Sequence, residues 1–211
     1  MIEFKIYTAA IDLPENEWNG LTRHDIFLQT HYLEAFEKAC PNTICMYYVG
    51  VFNKKELVGV AVIQRVQLYL KDMFRHEGAT RFKEALQNTL SKFLKGNILV
   101  VGNLTHTGQH GLFVDQTKIS QTQFIKKIYE SCEELTKWIR IERKRKIRLI
   151  LFKDYFKNDS IHVEQSFFEL KKFYKMQVQP NIIMKPRKNW LKQSLGLILK
   201  IGKNVLDMRG S

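Results

Sequence analysis

Glycines and histidines cluster in one stretch of the chain, which follows a short apolar strand pattern and precedes the longest helical pattern. The stretch reads GNLTHTGQHG, from Gly102 to Gly111. Glycine lets a ligand approach the backbone closely, and the first N–H groups of a helix attract anions. This order predicts a loop that binds an anionic group, and a loop with a purely structural role is the alternative. The candidate ligand-binding residues are Gly102, Asn103, Thr107, Gly108 and Gly111.

The two histidines of this stretch, His106 and His110, carry side chains that suit proton transfer. A neutral imidazole near pH 7 can remove a proton from an attacking amine, which makes His110 the candidate general base. Metal binding is the competing role, but no acidic or cysteine neighbour accompanies the pair. The sequence therefore predicts no metal site.

Apolar periodicity predicts the elements that position this loop. Strands are predicted over residues 3–7, 44–52, 57–68, 98–101, 148–152 and 176–184. Helices are predicted over residues 14–18, 30–39, 79–94, 121–143 and 167–174. The second and third strands are joined by a polar turn and predict an antiparallel hairpin, with Gly59 at a bulge. Strands that alternate with helices in this way predict an α/β domain with a mixed sheet and helices on its faces.

The pattern of the C-terminal residues predicts a separate element. We therefore expect a domain over residues 1–186, followed by a basic amphipathic tail over residues 187–211. Apolar residues of the tail recur at helical spacing, with lysines between them. They are Leu191, Leu195, Ile198, Leu199, Val205 and Leu206. We expect an amphipathic helix over residues 190–208 that docks on the domain, on a partner or on an anionic membrane.

The charge balance favours anionic partners. The chain has 34 lysines and arginines against 21 aspartates and glutamates, a net charge of +13. Such an excess suits nucleic acid, anionic lipid or phosphate-rich ligands, and a solvated lysine-rich surface is the alternative. The densest run, residues 137–148, has seven cations and one carboxylate. Cations are also favourable at a helix C-terminus without any ligand, so this run leaves both interpretations open.

The cysteines and the N-terminus bear on the cellular compartment. Cys40, Cys45 and Cys132 form no CxxC pair, and their odd number suits a reducing environment. The sequence shows neither the basic-then-apolar pattern of a signal segment nor an apolar run of membrane-spanning length. We therefore expect a cytoplasmic protein.

Five consecutive segments carry a family resemblance. They read FLQTHYLEAFEKAC, MYYVGVFNKKELVGVAVIQRV, VVGNLTHTGQHGLFV, LILFKDYF and QVQPNIIMKPRKNW. In this order they resemble the N-terminal half of Fem-like, peptidoglycan-biosynthesis-type acyltransferases, within the GNAT-like acyl-CoA N-acyltransferase superfamily. The resemblance covers roughly residues 25–190. It implies a GNAT-like fold in a single domain, where Fem-like proteins usually carry two.

The resemblance also implies a chemistry, the transfer of an acyl or aminoacyl group from acyl-CoA or aminoacyl-tRNA to an amine, without a permanently bound cofactor. In GNAT enzymes a glycine-containing loop binds the CoA pyrophosphate at a helix N-terminus. Here Gly108-x-x-Gly111 departs from the usual Gln/Arg-x-x-Gly-x-Gly/Ala pattern. Tyr155, just after the strand that ends at Phe152, matches the tyrosine that protonates the departing thiolate. Packing among aromatic neighbours is the alternative role.

A non-catalytic function is the main competitor. On this interpretation the chain is a GNAT-like binding module for a partner protein or for a polyanion, either nucleic acid or an anionic membrane. The partners that the sequence favours are acyl-CoA or tRNA, an anionic membrane at its surface, and a second copy of the chain as a homo-oligomer. Specific binding of acyl-CoA separates the enzyme from the binding module.

Overall fold

The structure is a computed structural model that describes residues 1–69, 95–104, 111–156, 160–184 and 190–201. Its strands are β1 (Ile2–Tyr7), β2 (Ile44–Asn53), β3 (Glu56–Tyr69), β4 (Lys95–Val101), β5 (Leu112–Val114), β6 (Ile147–Phe156), β7 (Tyr174–Met184) and β8 (Trp190–Ile201). Its helices are α1 (Glu15–Leu21), α2 (Thr30–Ala39), α3 (Gln121–Glu142) and α4 (Gln165–Leu170). Short 3₁₀ turns cover Ala10–Asp12, Ile26–Leu28 and Ser160–Glu164.

The described strands form one mixed sheet, which confirms the predicted α/β class. The strand order is β1-β2-β3-β4-β6-β8-β7, and β5 pairs with β3 off this path. β4 and β6 run parallel to each other, whereas the other described pairs are antiparallel. The parallel pair lies in the middle of the sheet, so both of its faces can be covered by helices.

The predicted hairpin is confirmed as β2 and β3. Lys54 and Lys55 form its turn with positive φ angles of 48° and 72°, the geometry that matches the twist of antiparallel strands. Val51 pairs with Gly59 and Phe52 with Leu57, which leaves one extra residue of β3 as a bulge. The bulge therefore lies beside Gly59, as the sequence predicts.

Helices cover both faces of the sheet, because successive residues of a strand point to opposite sides. Tyr47 and Val49 of β2 pack with α3, whereas Tyr48 packs with Trp18 and Leu33 of α1 and α2. α3 is the longest described helix, as predicted. Its predicted apolar face is buried along its whole length, at Phe124, Ile128, Cys132, Leu135 and Ile139.

The predicted C-terminal helix is wrong over residues 190–201, which form the strand β8. These residues satisfy a period of two as well as a period of 3.6, since Leu195, Leu197, Leu199 and Ile201 alternate with other residues. β8 pairs with β6 on one side and with β7 on the other, so two neighbouring strands satisfy its backbone. Gly196 disfavours a helix in addition. Residues 202–208 lie outside the described part of the chain, and the division at residue 186 stays a prediction.

Other predicted elements differ at their ends. The helix predicted over residues 167–174 is α4, which ends at Leu170, and Tyr174 already begins β7. The helix predicted over residues 79–94 lies outside the described residues. β5 has three residues and was not predicted. Within the described ranges, no helix combines the length and the apolar character needed to cross a membrane.

Close contact between β3 and α3 gives a first prediction. A Cβ added at Gly59 would lie 2.6 Å from Cε2 of Phe124, whereas a Cβ added at the exposed Gly20 of α1 would meet nothing within 4 Å. We expect Gly59→Ala to lower the free energy of unfolding by about 1–3 kcal/mol because the ring or the helix must shift. The matched control Gly20→Ala should raise it by about 0.5–1 kcal/mol. Urea denaturation measures both, and equal effects would contradict this packing.

Candidate functional site

The chain that pairs with β3 at the centre of the sheet is interrupted between β4 and β5. Residues 63–69 of β3 pair with β4, and residues 59–61 pair with β5, so β4 and β5 follow one another along the same edge. Val62 joins the two stretches: its N–H donates to the Gly111 oxygen at 2.8 Å and its oxygen accepts from the Gly102 N–H at 2.9 Å. The chain therefore leaves the sheet after Gly102 and returns to it at Gly111.

Glycine is required at both ends of this excursion. Gly102 has a φ angle of +116°, which a side chain disfavours. A Cβ added at Gly111 would lie 2.3 Å from the Gly102 Cα, closer than any non-bonded contact allows. The two glycines thus form a backbone-to-backbone contact that closes the base of the loop. The structure brings together three of the predicted ligand-binding residues: Gly102, Asn103 and Gly111.

A buried glutamine holds the start of the loop. Gln64 is fully buried, and its amide donates to Asn103 Oδ1 at 3.0 Å while its oxygen accepts from the Leu104 N–H at 2.7 Å. Nζ of Lys153 on β6 donates to the backbone oxygen of Asn103 at 2.7 Å. Residues from β3 and β6 therefore fix the path of the chain as it leaves β4.

β4 and β6 part beside this junction. Their parallel pairing ends at Val101 and Phe152. β6 then has a bulge and continues as a partner of β8, with Tyr155 opposite Gly196. β5 pairs with β3 alone among the described strands. A gap thus separates β5 from the second half of β6, and Tyr155 lies on the strand that borders it.

The N-terminus of α3 is occupied by side chains of its own turn. Ser120 Oγ accepts from the Gln123 N–H at 3.2 Å, and the Gln123 side chain returns to the Ser120 N–H in a capping box. Asp115 accepts from the Thr117 N–H at 3.0 Å. The bond from the Thr117 hydroxyl, followed by this backbone bond, lowers the pKa of Asp115 below its ordinary value. Thr117 precedes the helix, so the Asp115 bonds belong to the turn that leads into α3, and the capping box satisfies the Gln123 N–H of the helix itself.

The remaining predicted site residues are placed less completely. β5 and the turn over residues 115–120 separate Gly111 from α3, so the loop does not lead directly into the helix. Thr107, Gly108, His106 and His110 lie outside the described residues. Tyr155 lies on β6 and pairs with Gly196 of β8. No group of three or more potential metal ligands occurs among the described residues.

Sequence reasoning missed Gln64 and Lys153, which contact the start of the loop. Gln64 carried a usable signal, because it and Arg65 interrupt an otherwise apolar strand that runs from Leu57 to Val66. A polar residue in such a run must be hydrogen-bonded when it is buried. No local pattern could predict Asn103 as its hydrogen-bond partner, because the two residues lie 39 positions apart along the chain.

Comparisons with known proteins agree with the architecture. No family model matches the sequence, and no curated protein matches it either. Among solved structures, NAA60 of Arabidopsis thaliana in complex with acetyl-CoA is similar over 95% of this chain and 98% of that one, at 12% identity and a TM-score of 0.50. A bacterial toxin is similar over 99% and 95%, at 10% identity and a TM-score of 0.50.

The chain has the fold of GNAT N-acetyltransferases. An acetyltransferase of the GNAT family from Streptococcus pneumoniae also aligns, over 94% of this chain and 99% of that chain, at 11% identity and a TM-score of 0.49. The mixed sheet and the likeness to NAA60 confirm the predicted GNAT-like fold. At these identities the likeness concerns the fold alone, and the predicted site residues stay predictions.

The Gln64 contacts give a second prediction. Gln64→Met should lower the free energy of unfolding by about 1–3 kcal/mol, because Asn103 and the Leu104 N–H lose their partner. The matched control is Gln67→Met on the same strand, whose side chain makes no hydrogen bond in the described part of the chain and should change stability by about 0.5 kcal/mol or less. Thermal and urea denaturation measure both. A Gln64→Met protein as stable as the control would show that the loop is not held by this side chain.

Proposed function

We propose that this protein is an N-acyltransferase that moves an acyl group from a thioester donor to an amine. The parting of β4 and β6 beside the Gly102–Gly111 contact supports this proposal most directly. The amide-containing arm of acyl-CoA is extended, and an extended chain can pair with the exposed edges of strands as an additional strand does. The gap between β5 and the second half of β6 suits such a ligand.

The proposed reaction forms a C–N bond and breaks a C–S bond. A neutral amine attacks the thioester carbonyl, and backbone N–H groups stabilise the resulting oxyanion. In this proposal His110 accepts the proton of the amine and Tyr155 donates a proton to the departing thiolate. Lys153, which already donates to the Asn103 oxygen, adds a positive charge at the mouth of the gap.

Acyl-CoA is the proposed donor, with its phosphates near the loop that contains Thr107 and Gly108, between Gly102 and Gly111. The solved structure of NAA60 contains acetyl-CoA, whereas nothing in the structure or in the comparisons favours aminoacyl-tRNA. Ser120 caps α3 at the Gln123 N–H, and β5 with the turn over residues 115–120 separates this helix end from the loop, so we assign the phosphates to the glycine contact. A Fem-like acceptor, and a second copy of the chain as partner, stay predictions from the sequence.

One observation favours the alternative of a non-catalytic binding module. The capping box of Ser120 already satisfies the Gln123 N–H at the helix end that would otherwise attract the donor pyrophosphate, and the preceding turn carries the Asp115 carboxylate. A module of this kind would bind a protein or a polyanion without binding acyl-CoA. The expected contact of a C-terminal helix with a membrane loses its basis over residues 190–201, because these residues form a strand.

A third prediction tests donor binding. Titration calorimetry should detect binding of acetyl-CoA to the protein, and Gly111→Ala should weaken it by about tenfold or more, since the new Cβ forces the two loop ends apart. Gly20→Ala, which adds the same methyl group at an open position of α1, should bind acetyl-CoA as the unchanged protein does. If the unchanged protein binds neither acetyl-CoA nor CoA, the binding module replaces the enzyme.

A fourth prediction tests the role of Tyr155. Thiol release from acetyl-CoA in the presence of a panel of amines measures turnover. Tyr155→Phe should lower kcat by about a hundredfold while the affinity for acetyl-CoA stays the same, because the ring remains and the proton donor is lost. An unchanged kcat would assign the tyrosine a packing role.

A further inference from the structure

A cavity lies at the C-terminal end of α3, where β2 begins and β3 approaches its end. Its volume is about 480 Å³, and its walls include Tyr47, Arg65, Gln67, Arg143 and Arg145. α3 has 22 residues and is therefore about 33 Å long, which separates this cavity from the Asp115 and Ser120 turn. Three arginines line it, so it differs in place and in chemistry from the glycine contact.

Arg65 is a buried cation that has no counter-ion among the described residues. It is 8% exposed, and its guanidinium donates to Asn97 Oδ1 at 2.8 Å and to Cys45 Sγ at 2.7 Å. Among the described residues, no carboxylate lies within ion-pair distance of it. A buried charge is expensive unless it is paired, so the fold accepts a cost at this position.

The carboxylate that lines the same cavity is engaged elsewhere. Glu37 Oε2 accepts from the Ala10 N–H at 2.8 Å and from the Tyr48 hydroxyl at 3.0 Å. Both bonds belong to the packing of α2 on the opposite face of the sheet. Glu37 therefore does not neutralise Arg65.

Two further arginines extend the positive charge to the mouth of the cavity. The Arg143 guanidinium lies over the Trp138 ring, 5.5 Å from its centre, and that ring packs edge-on against Tyr47 at 6.0 Å. Burial, together with Cys45, raises the pKa of the Tyr47 hydroxyl, and the charges of Arg65 and Arg143 oppose this rise. The end of α3 accounts for exposed cations at Arg143 and Arg145, but not for a buried one at Arg65.

We propose that this cavity binds a phosphate group, as the free ion or as the monoester of a small molecule. The Arg65 guanidinium would lie at its floor, and Arg143 and Arg145 would close on the ligand from the end of α3. Guanidinium groups bind phosphate through paired N–H bonds, and a volume of 480 Å³ lies within the range of small-molecule sites. The phosphate would supply the counter-ion that Arg65 lacks in the described part of the chain.

Thermal denaturation in inorganic phosphate tests the proposal, with potassium chloride at equal ionic strength as the reference. A ligand that binds the folded state alone raises the Tm as its concentration rises. We expect phosphate to raise the Tm of the unchanged protein and to leave the Tm of Arg65→Met unchanged. The matched control Lys126→Met removes one exposed cation near the start of α3 and should keep the full response.

Two further measurements keep the test independent of folding defects. Arg143→Ala with Arg145→Ala alters exposed side chains and should weaken binding of glycerol 3-phosphate by about tenfold or more in titration calorimetry. Arg65→Met should leave the affinity for acetyl-CoA unchanged, which separates this site from the proposed donor site. An equal phosphate response in every variant would indicate unspecific binding to a basic surface and would overturn the proposal. The absence of any response in the unchanged protein would overturn it as well, and would make Arg65 a structural residue.

Discussion

The hydrogen bonds of one residue, Val62, organise the centre of this protein. Its N–H and its oxygen pair with Gly111 and Gly102, so β3 continues without a break while the opposite chain leaves and returns. Gly102 and Gly111, where the chain leaves and returns, can touch because neither residue has a side chain. β4 can therefore pair with β6 up to Val101, and β5 can follow on the same edge of β3. The gap beside β6 is a consequence of this arrangement.

β3 also carries two adjacent polar residues that serve opposite faces of the sheet. Gln64 contacts Met46 on the α1 and α2 side, whereas Arg65 contacts Cys45 on the α3 side. Burial of either group costs free energy unless it is hydrogen-bonded. Gln64 has both parts of its amide bonded to the loop, and it thereby fixes the loop in place. The partners of Arg65 within the described ranges are neutral although its charge is full, which suits the proposed anion site.

The GNAT fold and the local chemistry bear differently on function. The parting of β4 and β6 is the place that the proposed function assigns to an extended acyl donor. At the N-terminus of α3, Ser120 accepts from the Gln123 N–H, and the turn before the helix carries the Asp115 carboxylate. The two sites that the proposals assign to anions both carry positive charge, at Lys153 beside the glycine contact and at the arginine-lined end of α3.

The sequence by itself determined the elements with strong and unambiguous periodicity: the β2–β3 hairpin, the buried face of α3 and the alternation that gives an α/β sheet. It also identified Gly102 and Gly111 as residues of a candidate binding loop, because glycines that follow a strand pattern and precede a helix pattern are visible in the local sequence. The tertiary structure decided what depends on distant neighbours. Residues 190–201 fit both periods, and only the free edges of β6 and β7 make them a strand. The pairing of Arg65 with Asn97 joins residues 32 positions apart, which no local pattern encodes.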